Sequence, residues 1–322
     1  MEHRISQQFI FDAHSRIIPH IHRTPIITSH TLNDILGCNV YFKCENLQKI
    51  GAFKIRGAMN SVLLLTESEK ANGVATHSSG NHAQALAFAA RQLGISAHIV
   101  MPRTSPPQKA AAVRGYGGQI TFCEPNLAAR EQTLAEIVKQ TGATEIHPFD
   151  NDNVITGQAT CAKEMFEDTS TPIDILFAPV GGGGLLSGTG ISAHYFSNST
   201  KVIGCEPEGA ADAIRSFASG NIETAPFIET IADGLLTTLS ARTLGYIRTY
   251  VSEILLASEA NIRRAMKFYS ERMKIVVEPS GAVPLAVLFQ HYEKFVGKNI
   301  GIIISGGNID LLKISDWIRE AE

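Results

Sequence analysis

The chain has 322 residues, more than one hydrophobic core usually supports, so two domains are expected. Apolar residues make up 44% and charged residues 18%, and the net charge of −3 comes without any block of like charge. That balance is ordinary for a globular enzyme, and it excludes the basic footprint of a nucleic-acid binder or of a protein held to an anionic membrane. Apolar-rich runs such as 173–180 and 300–304 fall far short of the roughly 20 residues that span a bilayer. The five cysteines, Cys38, Cys44, Cys123, Cys161 and Cys205, are odd in number and form no C-x-x-C pair, which predicts free thiols in a reducing compartment. Met1-Glu2-His3-Arg4 leads into no apolar signal segment, so a cytoplasmic protein is expected.

In chain order, β-rich runs at 40–44, 73–76, 97–101, 119–122, 173–178, 202–206, 254–257 and 300–305 alternate with helical patterns at 53–65, 81–93, 107–116, 127–140, 185–196, 258–272 and 281–291. Several strand runs are continuously apolar, as expected of strands covered on both faces. Strand–helix alternation predicts an α/β fold with largely parallel sheets. Residues 73–142 make a compact strand–helix block by themselves. The expected division is a small domain, 73–144, inserted into a large one built from 1–72 and 145–322.

The first chemical signal along the chain is Gly51-Ala52-Phe53-Lys54-Ile55-Arg56-Gly57-Ala58. Lys54 opens an apolar helix although helix N-termini disfavour cations, and functional residues are where local rules are broken. A lysine with a lowered pKa can form a Schiff base. Judged alone, the same lysine reads as an exposed first-turn residue, and Arg56 just beyond it reads as support for the fold. Next comes His77-Ser78-Ser79-Gly80-Asn81-His82, at the start of helix 81–93. Hydroxyls and N–H groups there suit a carboxylate, or an N-cap turn. The strongest signal is Gly181-Gly182-Gly183-Gly184-Leu185-Leu186-Ser187-Gly188, between an apolar strand and a helix. Glycines let the backbone approach a ligand and aim successive N–H groups at it, and the helix N-terminus adds positive potential, so a phosphate cradle is expected. No Gly-Lys-Ser/Thr follows, so it is not a P-loop. Last is Ser305-Gly306-Gly307-Asn308, after strand 300–305. Ligands of open α/β sheets sit outside the carboxyl ends of strands, and three of these four segments end one.

Together, in order and over nearly the whole chain, these segments resemble the fold-type II pyridoxal-phosphate (PLP) enzymes. Within them, the likeness is to serine racemases and serine/threonine dehydratases, including 3-hydroxyaspartate dehydratases. The resemblance implies a tryptophan synthase β-like fold of two open, twisted, mostly parallel sheets flanked by helices. It implies PLP as cofactor, carried by Lys54 as a Schiff base, with Phe53 against the ring plane. The backbone N–H groups of Gly181, Gly182, Gly183, Gly184 and Leu185 would hold the phosphate, Ser305 the pyridine nitrogen and Asn81 the 3′ oxygen. Ser78, Ser79, Asn81 and His82 would bind the carboxylate of an amino-acid substrate. The implied reaction eliminates water and ammonia from serine, threonine or 3-hydroxyaspartate to leave a 2-oxo acid, with the freed Lys54 amine removing the α-proton. Dedicated threonine dehydratases usually read Ser-Ala-Gly-Asn. Ser79 instead matches the racemase-like branch, where that serine faces the cofactor opposite the lysine. Racemisation of serine or aspartate is therefore the alternative main activity. β-Replacement suits the Ala52–Gly57 segment less well, and a PLP-binding protein without turnover is at odds with intact Lys54, Ser79 and Ser305.

The segment Cys205-Glu206-Pro207-Glu208-Gly209-Ala210-Ala211-Asp212 places two carboxylates near a turn, which suits a hard divalent cation. The resemblance puts Mg²⁺, or Ca²⁺ or Mn²⁺, on Glu206, the Ala210 carbonyl and Asp212. Arg130 lies early in helix 127–140 and reads either as a surface arginine or, by resemblance to the racemase-like branch, as a group reaching the active site. The eleven histidines form no H-E-x-x-H pattern, so no zinc site is expected. A homodimer is the family expectation, and the chain ends too soon after Ser305 for a C-terminal regulatory domain.

Overall fold

The computed structural model describes residues 5–319, so the signal reading of Met1–Arg4 lies outside the described residues. Among the described residues there are ten strands: β1 (Ile26–Thr28), β2 (Asn39–Cys44), β3 (Val74–His77), β4 (Ala97–Pro102), β5 (Gln119–Cys123), β6 (Thr144–Glu145), β7 (Ile175–Pro179), β8 (Lys201–Pro207), β9 (Glu253–Ala257) and β10 (Asn299–Ile304). They form a six-stranded sheet, β1-β2-β10-β7-β8-β9, and a four-stranded sheet, β5-β4-β3-β6. β1 and β2 pair antiparallel, and the other pairs are parallel, with Ile302 opposite both Phe42 and Phe177. Helices cover the sheets, so β7 is buried at every position, as are Ile300, Ile302, Ile303 and Ile304 of β10. The continuous apolar runs have this cause: neither face of these strands meets water.

Every expected strand is found, and every expected helix, with shifts of one to a few residues at the ends. The helix expected at 258–272 is α-helical over Glu259–Phe268 and then widens into a π-turn, Tyr269–Met273, ended by Lys274 at φ 60°. β1 and β6 are too short for a period of two to register. The longest helix, Asp152–Asp168 with 17 residues, was not singled out, because it is buried without a break from Val154 to Met165 and therefore carries no apolar stripe. Its polar side chains face internal partners. Gln158 accepts from the Gly57 N–H at 3.2 Å, and Glu164 meets Arg56.

Glycines bring three helices to backbone distance here. A Cβ on Gly57 would lie 2.7 Å from the Val154 carbonyl oxygen, one on Gly157 2.6 Å from Gly57 Cα, and one on Gly188 2.7 Å from the Ala159 nitrogen. The helices Lys54–Leu63 and Gly184–Phe196 are thereby locked against the same central helix. A buried ionic network adds to this. Arg56, fully buried, places Nε 2.7 Å from Glu45 Oε2 and Nη2 2.7 Å from Glu164 Oε2, while Lys43 Nζ lies 2.8 Å from Glu164 Oε2. Two cations meet two carboxylates, so no charge is left uncompensated away from water. Burial alone would raise the Glu164 carboxyl, but His14, Arg56 and Lys43 hold it well below the usual range. Arg56 thus supports the fold and anchors the first turn of the Lys54 helix. All five cysteines are buried and free. Among the described residues no helix is long and apolar enough to cross a membrane.

Candidate active site

The carboxyl ends of β3, β7 and β10 open onto one cavity of about 690 Å³, lined from both sheets. Phe53, Lys54, Ser78, Ser79, Asn81, His82, Arg130, the glycines 181–184, Leu185 and Ser305 all line it. Glu206, Ala210 and Asp212 do not; they lie at the end of β8.

Lys54 is held to the end of β10 by the chain just before it. Ala52 bridges Gly306, and the Phe53 N–H donates to the Ser305 carbonyl at 3.0 Å. The Lys54 amine donates to the Pro148 carbonyl at 2.8 Å and sits 5.2 Å from the Phe53 ring centre. Burial lowers its pKa to about 8. At neutral pH on the order of one amine in ten is unprotonated, some 300-fold more than for an unperturbed lysine.

The glycine run cannot carry side chains. Gly183 has φ 87°, in the left-handed region. A Cβ on Gly182 would overlap the Phe149 ring, and one on Gly183 would fall 2.7 Å from Leu239 Cδ2. The Ser187 N–H donates to the Gly183 carbonyl at 2.8 Å. The N–H groups before it have no preceding helical turn to bond, and with the helix dipole they form a site for an anion.

Asn81 opens the helix Asn81–Gln92 after β3. Its Nδ2 donates to Glu278 Oε1 at 2.9 Å, and its Oδ1 accepts from Asn308 Nδ2 at 2.9 Å, so the amide is held in one orientation. His82 is buried, and its Nε2 meets the Ile146 carbonyl at 2.9 Å. Burial and then Lys54 push its pKa down to about 3. The neutral ring therefore keeps its proton on Nε2 and presents a bare Nδ1, which is buried without a partner. Any hold of His82 on a carboxylate falls to its main-chain N–H. Arg130 is half-buried at the cavity wall, and its Nε is buried without a hydrogen-bond partner.

A family model of pyridoxal-phosphate dependent enzymes matches residues 17–306. The chain belongs to that family. It is 49% identical over 302 residues to the beta-hydroxyaspartate dehydratase of Paracoccus denitrificans, covering 94% of this chain and 96% of that one. It is 46% identical over 310 residues to the serine racemase of Dictyostelium discoideum, covering 95% of each. A crystal structure of serine racemase from Dictyostelium discoideum matches with a TM-score of 0.90 at 45% identity, over 95% of this chain and 99% of that one. The fold is the fold-type II architecture, and the protein is a PLP enzyme.

The residues present fit that cofactor. A deprotonatable amine, a glycine cradle that a single Cβ would fill, and the Ser305 hydroxyl share one cavity. The sequence reading missed Glu278. It lies directly before Pro279 at the start of an apolar helix, lines the cavity and is only 6% exposed. Burial, and then Asp233, push its carboxyl up to about 8. Also missed were Phe149, whose ring backs the glycine run, and the Lys109–Asp233 ion pair at 2.5 Å beside the same cavity.

At the end of β8, Glu206 Oε1 accepts from the Asp212 and Ala213 N–H groups at 3.0 and 2.7 Å, and Oε2 accepts from Ile214 at 3.0 Å. Asp212 Oδ2 is buried without a partner. Burial raises the two carboxyls to about 7 and about 6. Among the described residues no three His, Cys, Asp or Glu side chains gather into a metal-binding group. An orphaned carboxylate oxygen suits a hard cation, which would take its other ligands from main-chain carbonyls and water.

Proposed function

We propose that the protein is a PLP-dependent ammonia-lyase that removes water and ammonia from a β-hydroxy-α-amino acid, with 3-hydroxyaspartate as the preferred substrate. The observation that carries the reading is a half-buried arginine, Arg130, whose Nε–H is buried without a partner, at the wall of the cavity that also holds the Lys54 amine and the glycine cradle. The similarity to the Paracoccus dehydratase supports it.

Bound PLP supplies the electron sink for the pair left when the α-proton departs. Lys54 would carry the cofactor, and its free amine would take the α-proton on Nζ. Its lowered pKa makes the base available near neutral pH. The N–H groups of 181–185 would hold the phosphate, and Phe53 would support the ring. Ser305 would meet the pyridine nitrogen with a hydroxyl, which stabilises a proton there less than a carboxylate would and so favours elimination over transamination. Asn81 would meet the 3′ oxygen, and Ser78, Ser79 and the main chain through His82 would bind the α-carboxylate. Arg130 meets the β-carboxylate, which would otherwise lose its water without compensation.

Mg²⁺, Ca²⁺ or Mn²⁺ binds at Glu206, the Ala210 carbonyl and Asp212. Residues 73–144 form a small domain inserted into the large one of 1–72 and 145–322, a division supported by the placement of β3, β4 and β5 in a sheet of their own with β6. The protein acts as a cytoplasmic homodimer.

The test is 2-oxo acid release from D- and L-serine, L-threonine and the 3-hydroxyaspartates by wild type and Arg130→Ala. The kcat/KM ratio of 3-hydroxyaspartate to serine should fall in the variant by roughly 2–5 kcal/mol, the range for truncating one partner of a buried charged pair. A proportional fall for both substrates would make Arg130 a support of the fold, and no fall would return it to the surface reading. Similarity to the Dictyostelium racemase and the presence of Ser79 in the cavity favour racemisation as a second reading. Ser79→Ala should then abolish racemisation and spare most elimination of the L-substrate.

A further inference from the structure

His147 follows β6 and lines the cavity, and none of the four motifs includes it. Its Nδ1 accepts from the Asp150 N–H at 2.8 Å and from the Phe149 N–H at 3.3 Å. A ring nitrogen that accepts bears no proton, so the neutral imidazole keeps its hydrogen on Nε2. Burial, and then the neighbouring His77, push the pKa of His147 down to about 4. The Nε2–H is therefore a donor on an uncharged ring at every pH at which such an enzyme works.

The surroundings show what this donor could meet. The His77 ring stands edge to face with His147, centres 6.0 Å apart; burial lowers the pKa of His77, and Arg130 is near enough to lower it further against Glu145 and Glu131. Arg130 brings a buried Nε without a partner. These groups come from the end of β3, from the first turn of the helix Leu127–Thr141 and from the turn after β6, and they all line the cavity. The next residue, Pro148, accepts from the Lys54 amine, so this donor-rich wall stands beside the base.

We propose that His147 is a specificity-determining residue whose Nε2–H, on the cavity wall that also carries Arg130, donates to the second carboxylate of an acidic substrate. The proposal rests on the acidic-substrate reading above and adds a second donor to it. A carboxylate offers about four lone-pair sites, and a guanidinium fork satisfies two. A neutral donor takes a third without repelling Arg130. Serine, with no second carboxylate, makes no use of it.

Two variants separate this role from support of the turn. In His147→Asn the amide oxygen replaces Nδ1 and can still accept from the Asp150 N–H, but nothing reaches the Nε2 position. In His147→Gln an amide N–H reaches that position, and the two main-chain N–H groups lose their acceptor. The measurements are kcat/KM for 3-hydroxyaspartate and for serine, the inhibition constant of succinate as a four-carbon dicarboxylate, and the thermal midpoint. His147→Asn should lower the hydroxyaspartate-to-serine ratio about ten-fold or more, the worth of one hydrogen bond to a charged group, and weaken succinate in parallel. His147→Gln should keep most of the ratio and lose thermal stability. An unchanged ratio and unchanged succinate inhibition in His147→Asn, with wild type active on 3-hydroxyaspartate, would overturn the role of His147 alone. So would an equal fall for both substrates. A wild type that releases no 2-oxo acid from 3-hydroxyaspartate would remove the acidic-substrate reading itself, before any variant is made.

Discussion

Glu278→Gln should make the protein more stable, and by an amount that grows with pH. Glu278 is 6% exposed and its carboxyl is raised from 4.5 to about 8, first by burial and then by Asp233. The unfolded chain ionises this group near 4.5, while the native state keeps the proton until about 8. Between those values the unfolded state has lost a proton that the native state retains, so wild-type stability falls as pH rises. The difference of 3.5 units (8 minus 4.5) at 1.36 kcal/mol per unit sets a ceiling of about 5 kcal/mol, of which about 4 kcal/mol develops between pH 5 and pH 9. Glutamine has the same shape, no charge and an amide oxygen that can still accept from Asn81. The variant should therefore match wild type closely at pH 5 and exceed it at pH 9 by several kcal/mol, on the order of 5 °C in thermal midpoint for a chain of this length. Unfolding of both holoenzymes, followed by circular dichroism at pH 5, 7 and 9, measures the gap. An equal gap at pH 5 and pH 9 would refute the reasoning, because it would mean that Glu278 is already ionised in the native state at neutral pH.

Gly182→Ala forces a Cβ into the Phe149 ring, so the run must shift, and PLP should bind about ten-fold or more weakly through loss of charge-assisted N–H bonds; an unchanged cofactor titration would contradict the cradle. Lys54→Ala should abolish turnover and the absorbance of the lysine-bound cofactor, and residual activity above about one part in a hundred would be incompatible with its role as base. In wild-type apoprotein, the rate of PLP uptake should rise about ten-fold per pH unit and level off near pH 8, as the Lys54 amine loses its proton; a flat profile from pH 6 to 9 would show that the amine is not the reacting group. Chelation should lower the thermal midpoint and Mg²⁺ should restore it, since an ion that binds only the native state stabilises it by mass action. If Glu206→Ala and Asp212→Ala respond to chelator as wild type does, no cation binds there.

What the sequence determined by itself is what local rules control. Apolar runs doubly covered by helices became β7 and β10, and the glycines before Leu185 became a left-handed turn at a helix start, because both depend on a few adjacent residues. The resemblance carried by four short segments was enough to place the chain in its family, since each segment keeps its chemistry wherever the rest of the chain goes. Arg130 and Asp212 were legible as residue types, but that each has a buried polar atom without a partner is a fact of packing. The helix Asp152–Asp168 escaped detection because burial on all sides erases the stripe that periodicity detects. Glu278 and Asn81 are 197 positions apart in the chain and meet through a hydrogen bond that no local pattern encodes. Their carboxyl and amide, like the fixed tautomer of His147, owe their states to burial and to partners brought in by other elements. Protonation in a cavity is a property of the whole fold, because the cost of a charge depends on every group that excludes water from it.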